Sequence, residues 1–142
     1  MVNLSAFLAQ NALPVENERF AASRRFVDED GRPMEWEIRS ISSDEDEALR
    51  KSCTKRMAVP GKRGMYTPET DYNLYLGRLA AKCTVFPNLD DAELQNSYGV
   101  MGADLLLKTM LTPGEYADYL SRVQEVNGFD QTFDEAVDEA KN

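Results

Sequence analysis

The chain has 142 residues, 42% of them hydrophobic, and a formal net charge of -9. This length suits one domain with a hydrophobic core of its own. The negative charge repels nucleic acid and anionic lipid at long range, and no apolar run approaches the roughly 18 residues of a membrane span. We therefore expect a cytoplasmic protein that has no contact with a membrane and whose overall charge disfavours nucleic acid as a partner.

The sequence predicts a short helix or turn from Ser5 that stops before Pro14, and then an antiparallel hairpin within about residues 18–41. Met34, Trp36 and Ile38 alternate with charged residues, and this period of two is typical of a strand with one buried face. An Asp-Gly pair precedes them and predicts a turn, with residues 24–28 as the opposing strand.

From residue 42 to about residue 128 the sequence predicts a compact helical region. Ser42 opens a first helix with a hydroxyl that can cap free backbone amides. Thr67 or Thr70 starts a longer helix, and Thr112, which is followed by proline, starts the last one. The expected fold is therefore mainly α with a small N-terminal antiparallel β-hairpin (α+β).

Residues 129–142 are interpreted as an acidic amphipathic tail that follows a single domain of residues 1–128. The apolar residues of the tail recur at spacings of four, four and three: Phe129, Phe133, Val137 and Ala140. A helix this short is marginal alone in water. We expect the tail to dock on the core or to wait for a partner.

Charge is distributed unevenly along the chain. Residues 1–64 contain eleven basic and eleven acidic residues, whereas residues 65–142 contain five basic and fourteen acidic ones. The middle of the chain holds a basic stretch: Arg50, Lys51, Lys55, Arg56, Lys62 and Arg63. We assign the first four to the end of the first helix and the last two to an exposed loop, where cations are common. Binding of phosphate, of nucleic acid or of an acidic protein is the alternative.

The residue types of common active sites are scarce. Histidine is absent, which excludes Ser-His-Asp and Cys-His catalysis and metal sites that need imidazole. Cys53 and Cys83 are too few for a four-thiolate zinc site, and we interpret them as reduced thiols. Glu35 and Glu37 form a pair of carboxylates such as general acid–base catalysis uses. Their position on the polar face of a strand is a sufficient structural reason for both. We expect no catalytic residue, no metal and no cofactor.

Five short strings, taken together and in order, resemble a known family. The first two are Leu4-Ser-Ala-Phe-Leu-Ala-Gln-Asn-Ala-Leu-Pro14 and Trp36-Glu-Ile-Arg39. The three strongest are Tyr66-Thr-Pro-Glu-Thr-Asp-Tyr72, Cys83-Thr-Val-Phe-Pro-Asn-Leu-Asp90 and Leu111-Thr-Pro-Gly-Glu-Tyr116. Over about residues 3–128 the chain resembles the XkdN-like phage tail assembly chaperones.

The resemblance implies a role in building the tail of a contractile-tailed phage or prophage. Such chaperones are thought to hold the tape measure protein soluble until tail-tube subunits polymerise around it, and to be absent from the finished particle. In related systems a longer, frameshifted form links the tape measure protein to the tube protein. The resemblance therefore implies the tape measure protein as the partner, with the tail tube protein as a second candidate. Homo-oligomerisation is left open.

For a chaperone of this kind we expect an apolar groove between the C-terminal helices that binds partner helices. The candidate residues are Tyr72, Tyr75, Tyr116 and Leu120, with Phe129 and Phe133 extending the contact from the tail. Aromatic stripes on helices are more often core than groove, so that interpretation stands beside this one. The alternative functions are a structural component of the tail and a nucleic-acid-binding regulatory module that uses residues 50–63.

Overall fold

The computed structural model describes residues 3–129 of the chain. A 3₁₀ helix, Ser5–Phe7, precedes the first strand. Within this range the strands are β1 (Glu18–Phe20), β2 (Trp36–Ile38), β3 (Thr54–Ala58), β4 (Tyr66–Thr70) and β5 (Thr84–Phe86). The α-helices are α1 (Ser43–Ser52), α2 (Tyr72–Cys83), α3 (Ala92–Ser97), α4 (Ala103–Met110) and α5 (Pro113–Val126).

Three of the strands form one antiparallel sheet in the order β1-β2-β5. Phe20 pairs with Trp36, and Ile38 pairs with Thr84, so the sheet joins the N-terminal part of the chain to the end of α2. Trp36 and Ile38 are buried, as their alternation predicts, while Met34 remains partly exposed. The buried face of β2 therefore starts at the tryptophan.

One hydrophobic core lies between this sheet and helices α2, α4 and α5. Tyr119 of α5 is fully buried, and its ring centroid lies 5.4 Å from that of Trp36 and 5.7 Å from that of Phe20. Its hydroxyl hydrogen-bonds with the hydroxyl of Thr84, and burial raises the pKa of Tyr119. The ring of Tyr119 thus ties α5 to β1 and β2, and its hydroxyl ties α5 to β5.

The expectation that β-structure is confined to an N-terminal hairpin is wrong. The fold is α+β, and three of the five strands in the described range follow α1. β3 and β4 form a separate two-stranded sheet inside the region expected to be helical. Residues 66–70 include two β-branched threonines and Pro68, which disfavour a helix and suit an exposed strand.

The N-terminal strand pairing also differs from the expected hairpin. β1 precedes the expected residues 24–28, so a long loop, rather than a tight turn, connects it to β2. The Asp-Gly turn is present within that loop: Gly31 has φ 79°, and the Asp28 carboxylate accepts two backbone N–H groups at 2.9 Å. Phe20 of β1 packs against Tyr119 of α5, far away in the sequence. This long-range contact favours β1, rather than residues 24–28, as the partner of β2, and turn residues alone do not indicate it.

Side-chain caps fix the starts of the longer helices. Ser42 and Thr112 each form a capping box at the start of α1 and α5, which confirms both predicted starts. α2 begins at Tyr72, where the Asp71 carboxylate caps the first turn. Its expected start at Thr67 or Thr70 is wrong because both threonines lie on β4.

The contacts of Glu115, in the capping box of α5, predict that the fold loses stability in acid. Its carboxylate accepts a hydrogen bond from the Thr112 N–H at 2.9 Å and lies 3.4 Å from Arg25. The backbone of Thr112 first, and the Ser23 hydroxyl next, lower the pKa of Glu115 to about 2 from an ordinary value of 4.5. A lowered folded-state pKa stabilises the fold above pH 4.5, and this stabilisation is lost as the pH falls toward 2.

We expect the difference in melting temperature between the wild type and Glu115→Gln to shrink as the pH falls through that window. Thermal unfolding followed by circular dichroism at several pH values measures it. A difference that stayed constant down to a pH of about 2 would contradict the assignment.

Candidate partner-binding surface

Strands β3 and β4 form an exposed antiparallel hairpin, residues 54–70. Thr54 pairs with Thr70 at its base, and Ala58 pairs with Tyr66 beside the loop. Nearly every residue of the two strands is exposed, and the strands contact each other far more than they contact other elements. Because an isolated two-stranded sheet is marginally stable in water, the hairpin is a natural place for a partner to add contacts.

One face of the hairpin carries an apolar strip. Its register places Met57, Val59 and Met65 on the same face, since side chains alternate along a strand. At the base, Met57 and Tyr72 line a cavity of about 420 Å³ between the hairpin and the start of α2. Met57, Met65 and Tyr72 are 45%, 53% and 61% exposed. We call Met57, Val59, Met65 and Tyr72 the methionine strip.

Two residues of the basic stretch lie in the last turn of α1, as expected. Arg50 donates to Asp46 at 3.1 Å, and its guanidinium carbon lies 4.6 Å from the centroid of the Tyr75 ring. Lys51 lies 3.7 Å from Glu47 on the same helix. Both cations therefore have acidic partners within α1.

The other four basic residues lie on the exposed hairpin: Lys55, Arg56, Lys62 and Arg63. The first two lie on β3, so the expectation that they end a helix is wrong. Arg56 stacks over Tyr66 with its guanidinium carbon 5.0 Å from the ring centroid. Glu69, which pairs with Lys55 at the base, is the one acid in residues 54–70, so the loop end of the hairpin is basic.

Tyr72 and Tyr75, expected as neighbouring walls of a groove, lie in different environments. Tyr72 is 61% exposed and Tyr75 only 2%, although their rings meet edge to face at 6.4 Å. The Tyr75 hydroxyl donates to Asp46 of α1, and burial raises the pKa of Tyr75 to about 12. Tyr75 thus joins α1 to α2, and Tyr72 remains at the surface.

Tyr116 and Leu120 pack α5 against the core and are half-buried. The Tyr116 hydroxyl is buried beside Gly77 of α2 without a hydrogen-bond partner among residues 3–129, and burial raises the pKa of Tyr116. Of the four residues expected to line the groove, Tyr72 alone is exposed.

The close approach of Tyr116 to Gly77 gives a prediction for stability. A Cβ on Gly77 would lie 2.9 Å from the Tyr116 hydroxyl oxygen. Tyr116→Phe removes both this obstacle and an unpaired buried donor, so we expect it to raise the unfolding free energy by about 1 kcal/mol. Gly77→Ala should then stabilise the Tyr116→Phe variant by up to about 1 kcal/mol through helix propensity, and should be less favourable in the wild type. Urea unfolding of the wild type, the two single variants and the double variant measures this coupling, and additive effects would contradict it.

Of the apolar residues noted in the tail, Phe129 alone lies within the described range. Phe129 is 37% exposed, and its N–H donates to the Gln124 carbonyl at 2.8 Å. Phe133, Val137 and Ala140 lie outside the described residues. A role for Phe129 and Phe133 in partner binding therefore stays a prediction.

Several groups considered for chemistry stabilise the fold. Cys53 and Cys83 are buried free thiols, as expected, and burial raises the pKa of Cys83. A hydrogen bond from Asn17, together with the ion pair to Arg19, lowers the pKa of Glu37. Residues 3–129 bring no three metal-ligating side chains of the His, Cys, Asp or Glu type together. The helices of that range lack the length and apolarity needed to cross a membrane.

The sequence matches one protein family over nearly its whole length. Residues 4–141 match the family described as the phage XkdN-like tail assembly chaperone protein. The match includes most of the acidic tail, beyond residue 128, where the resemblance in the short strings ends.

Two proteins of Bacillus subtilis (strain 168) are similar to the chain. The uncharacterized protein YqbN is 30% identical over 141 residues, which cover 99% of this chain and 93% of YqbN. The phage-like element PBSX protein XkdN is 27% identical over 141 residues, which cover 99% of this chain and 94% of XkdN. The crystal structure of YqbN aligns with a TM-score of 0.78 at 28% identity, covering 92% of this chain and 99% of that one.

Proposed function

The chain belongs to the XkdN-like family of phage tail assembly chaperones, and we propose that it binds a tape measure protein and keeps it soluble during tail assembly. The family match over residues 4–141 is the observation that carries the proposal. The proposed role is non-enzymatic, is carried out in the host cytoplasm and ends before the particle is complete.

The methionine strip is the surface that we propose for this partner. Tape measure proteins are long helices with one apolar face, and such a helix binds a groove through residues three and four positions apart. Unbranched methionine side chains adapt to helices of varied sequence. Many copies bound along one helix would act together, and the net charge of -9 on each would keep the assembly soluble.

Co-expression with the tape measure protein encoded nearby tests the proposal. We expect most of the tape measure protein to remain in the supernatant when the chain is present, and to sediment when an unrelated acidic protein of similar size replaces it. Equal insolubility in both cases would overturn the proposal. Immunoblotting of purified particles separates a chaperone, which is gone, from a structural component, which remains.

The four exposed cations of the hairpin favour nucleic-acid binding as a second candidate function. Arg56 and Tyr66 form a stacked pair of the kind that contacts bases. This candidate predicts an electrophoretic shift of single-stranded or duplex DNA that weakens steeply with added salt. The absence of a shift at low salt would exclude it.

A further inference from the structure

We propose that the methionine strip is covered, in the isolated protein, by the chain's own C-terminal segment, residues 130–142. The contact lies within one chain and needs no tape measure protein, so it stands or fails separately from the proposed function. Charge, apolar pattern and reach each support it.

Charge complementarity is the first support. The hairpin has four cations, Lys55, Arg56, Lys62 and Arg63, and none of them forms an ion pair with a carboxylate of residues 3–129. Residues 130–142 contain five acids and one lysine, a net charge of 1 − 5 = -4. Lys55 shares the face of the methionine strip, and Lys62 and Arg63 lie in the loop that continues it, whereas Arg56 lies on the opposite face with Tyr66. The segment is therefore opposite in charge to the three cations on or beside the strip.

The apolar pattern is the second support. In residues 130–142 the apolar side chains Phe133, Ala136, Val137 and Ala140 are spaced three, one and three apart, which would place them along one face of a helix. Acids fill all of the positions between them. The segment thus combines apolar and acidic side chains, and the strip of Met57, Val59 and Met65 combines apolar side chains with nearby basic ones. The two surfaces are complementary in apolarity and in charge.

Reach is the third support. Asn127 at the end of α5 accepts the Ile41 N–H at 2.9 Å and donates to the Cys83 sulfur at 3.4 Å, so α5 ends beside the last residue of α2. The hairpin base is at the other end of α2, where the Asp71 N–H donates to the Cys53 carbonyl. Twelve helical residues span about 18 Å. Thirteen residues span about 20 Å as a helix, which ends at the hairpin base, and more than 40 Å when extended. The proposed contact therefore requires that the first residues of the segment are extended and that the later ones lie on the strip.

Carbodiimide cross-linking of the full-length native protein at low salt tests the contact. This reagent joins carboxylates to lysines that touch, and peptide mass spectrometry identifies the pairs. We expect monomers in which Asp134, Glu135, Asp138 or Glu139 is joined to Lys55 or Lys62. Lys108, an exposed lysine on α4, serves as the internal control.

The double variant Lys62→Glu/Arg63→Glu should lower the yield of the remaining Lys55 cross-links about tenfold, whereas Lys108→Glu should leave it unchanged. Salt at about 1 M, where the Debye length is about 3 Å, should act like the double variant. Equal cross-linking to Lys108, or cross-links found in dimers alone, would overturn the proposal. The dimer result would assign the strip to the segment of a second copy.

Methyl NMR of methionine-labelled protein gives an independent readout. The variant Asp134→Lys/Glu135→Lys should shift the methyl signals of Met57 and Met65 and leave that of Met101, which is 87% exposed on the loop before α4, in place. Unchanged Met57 and Met65 signals would overturn the proposal, because Asp134 and Glu135 belong to the segment that is proposed to cover these two side chains.

Discussion

Replacing Trp36 with alanine is expected to lower the unfolding free energy by about 3–5 kcal/mol. The whole stability of such a domain is roughly 5–15 kcal/mol, so much of the margin would be lost. The Trp36 ring is buried, with centroids 5.4 Å from Tyr119 and 6.1 Å from Phe26, and no smaller side chain fills that space. Urea unfolding followed by circular dichroism measures the change.

Phe7→Ala is the matched control for this aromatic truncation. Phe7 is 79% exposed in the N-terminal 3₁₀ helix, so its loss should change the unfolding free energy by no more than about 0.5 kcal/mol. Equal effects of the two substitutions would mean that the sheet does not pack on α5 as described.

The helix starts at Ser42 and Thr112 could be predicted because each depends on residues within one turn. A capping hydroxyl and a glutamate three positions later satisfy backbone amides locally, whatever the rest of the fold does. The buried alternation of Trp36 and Ile38 is local in the same sense. The residues that determine each of these elements are therefore close together in the sequence.

The hairpin of residues 54–70 lacked such a signal. Both of its faces are exposed, so no buried face imposes an alternation of apolar and polar residues. Two of its cations, Lys55 and Arg56, follow α1 in the sequence and so also suited the end of a helix electrostatically. β5 was missed for a different reason: it has three residues, and its pairing with β2 joins segments far apart in the chain.

The candidate site illustrates the same limit. Tyr72 and Tyr75 are three positions apart on α2 and so share a side of the helix. They differ in burial because Asp46 and Arg50 of α1 cover Tyr75. Helical spacing therefore correctly predicted that Tyr72 and Tyr75 are neighbours. It could not indicate that α1 covers Tyr75 and leaves Tyr72 exposed. The strip itself carried no such signal, because Met57, Ala58 and Val59 are three consecutive apolar residues without alternation.

Replacing Met57 and Met65 together with aspartate is expected to weaken binding of the tape measure protein about 30-fold or more. This factor corresponds to the roughly 2 kcal/mol or more that hot-spot side chains contribute to an interface. Both side chains are about half exposed, so their loss should change the unfolding free energy by no more than about 0.5 kcal/mol each. Co-purification from cells that express both proteins, with thermal unfolding of each variant alone, measures the two quantities.

Met101→Asp/Leu105→Asp is the charge-matched control, because it removes two exposed apolar side chains and adds the same two charges beside α4. If the proposed surface is correct, the control keeps the tape measure protein soluble while the strip variant does not. Equal loss in both variants would mean that added negative charge, and not the strip, governs the interaction. Loss in the control alone would move the binding surface to α4, whose exposed apolar side chains would then be the contact.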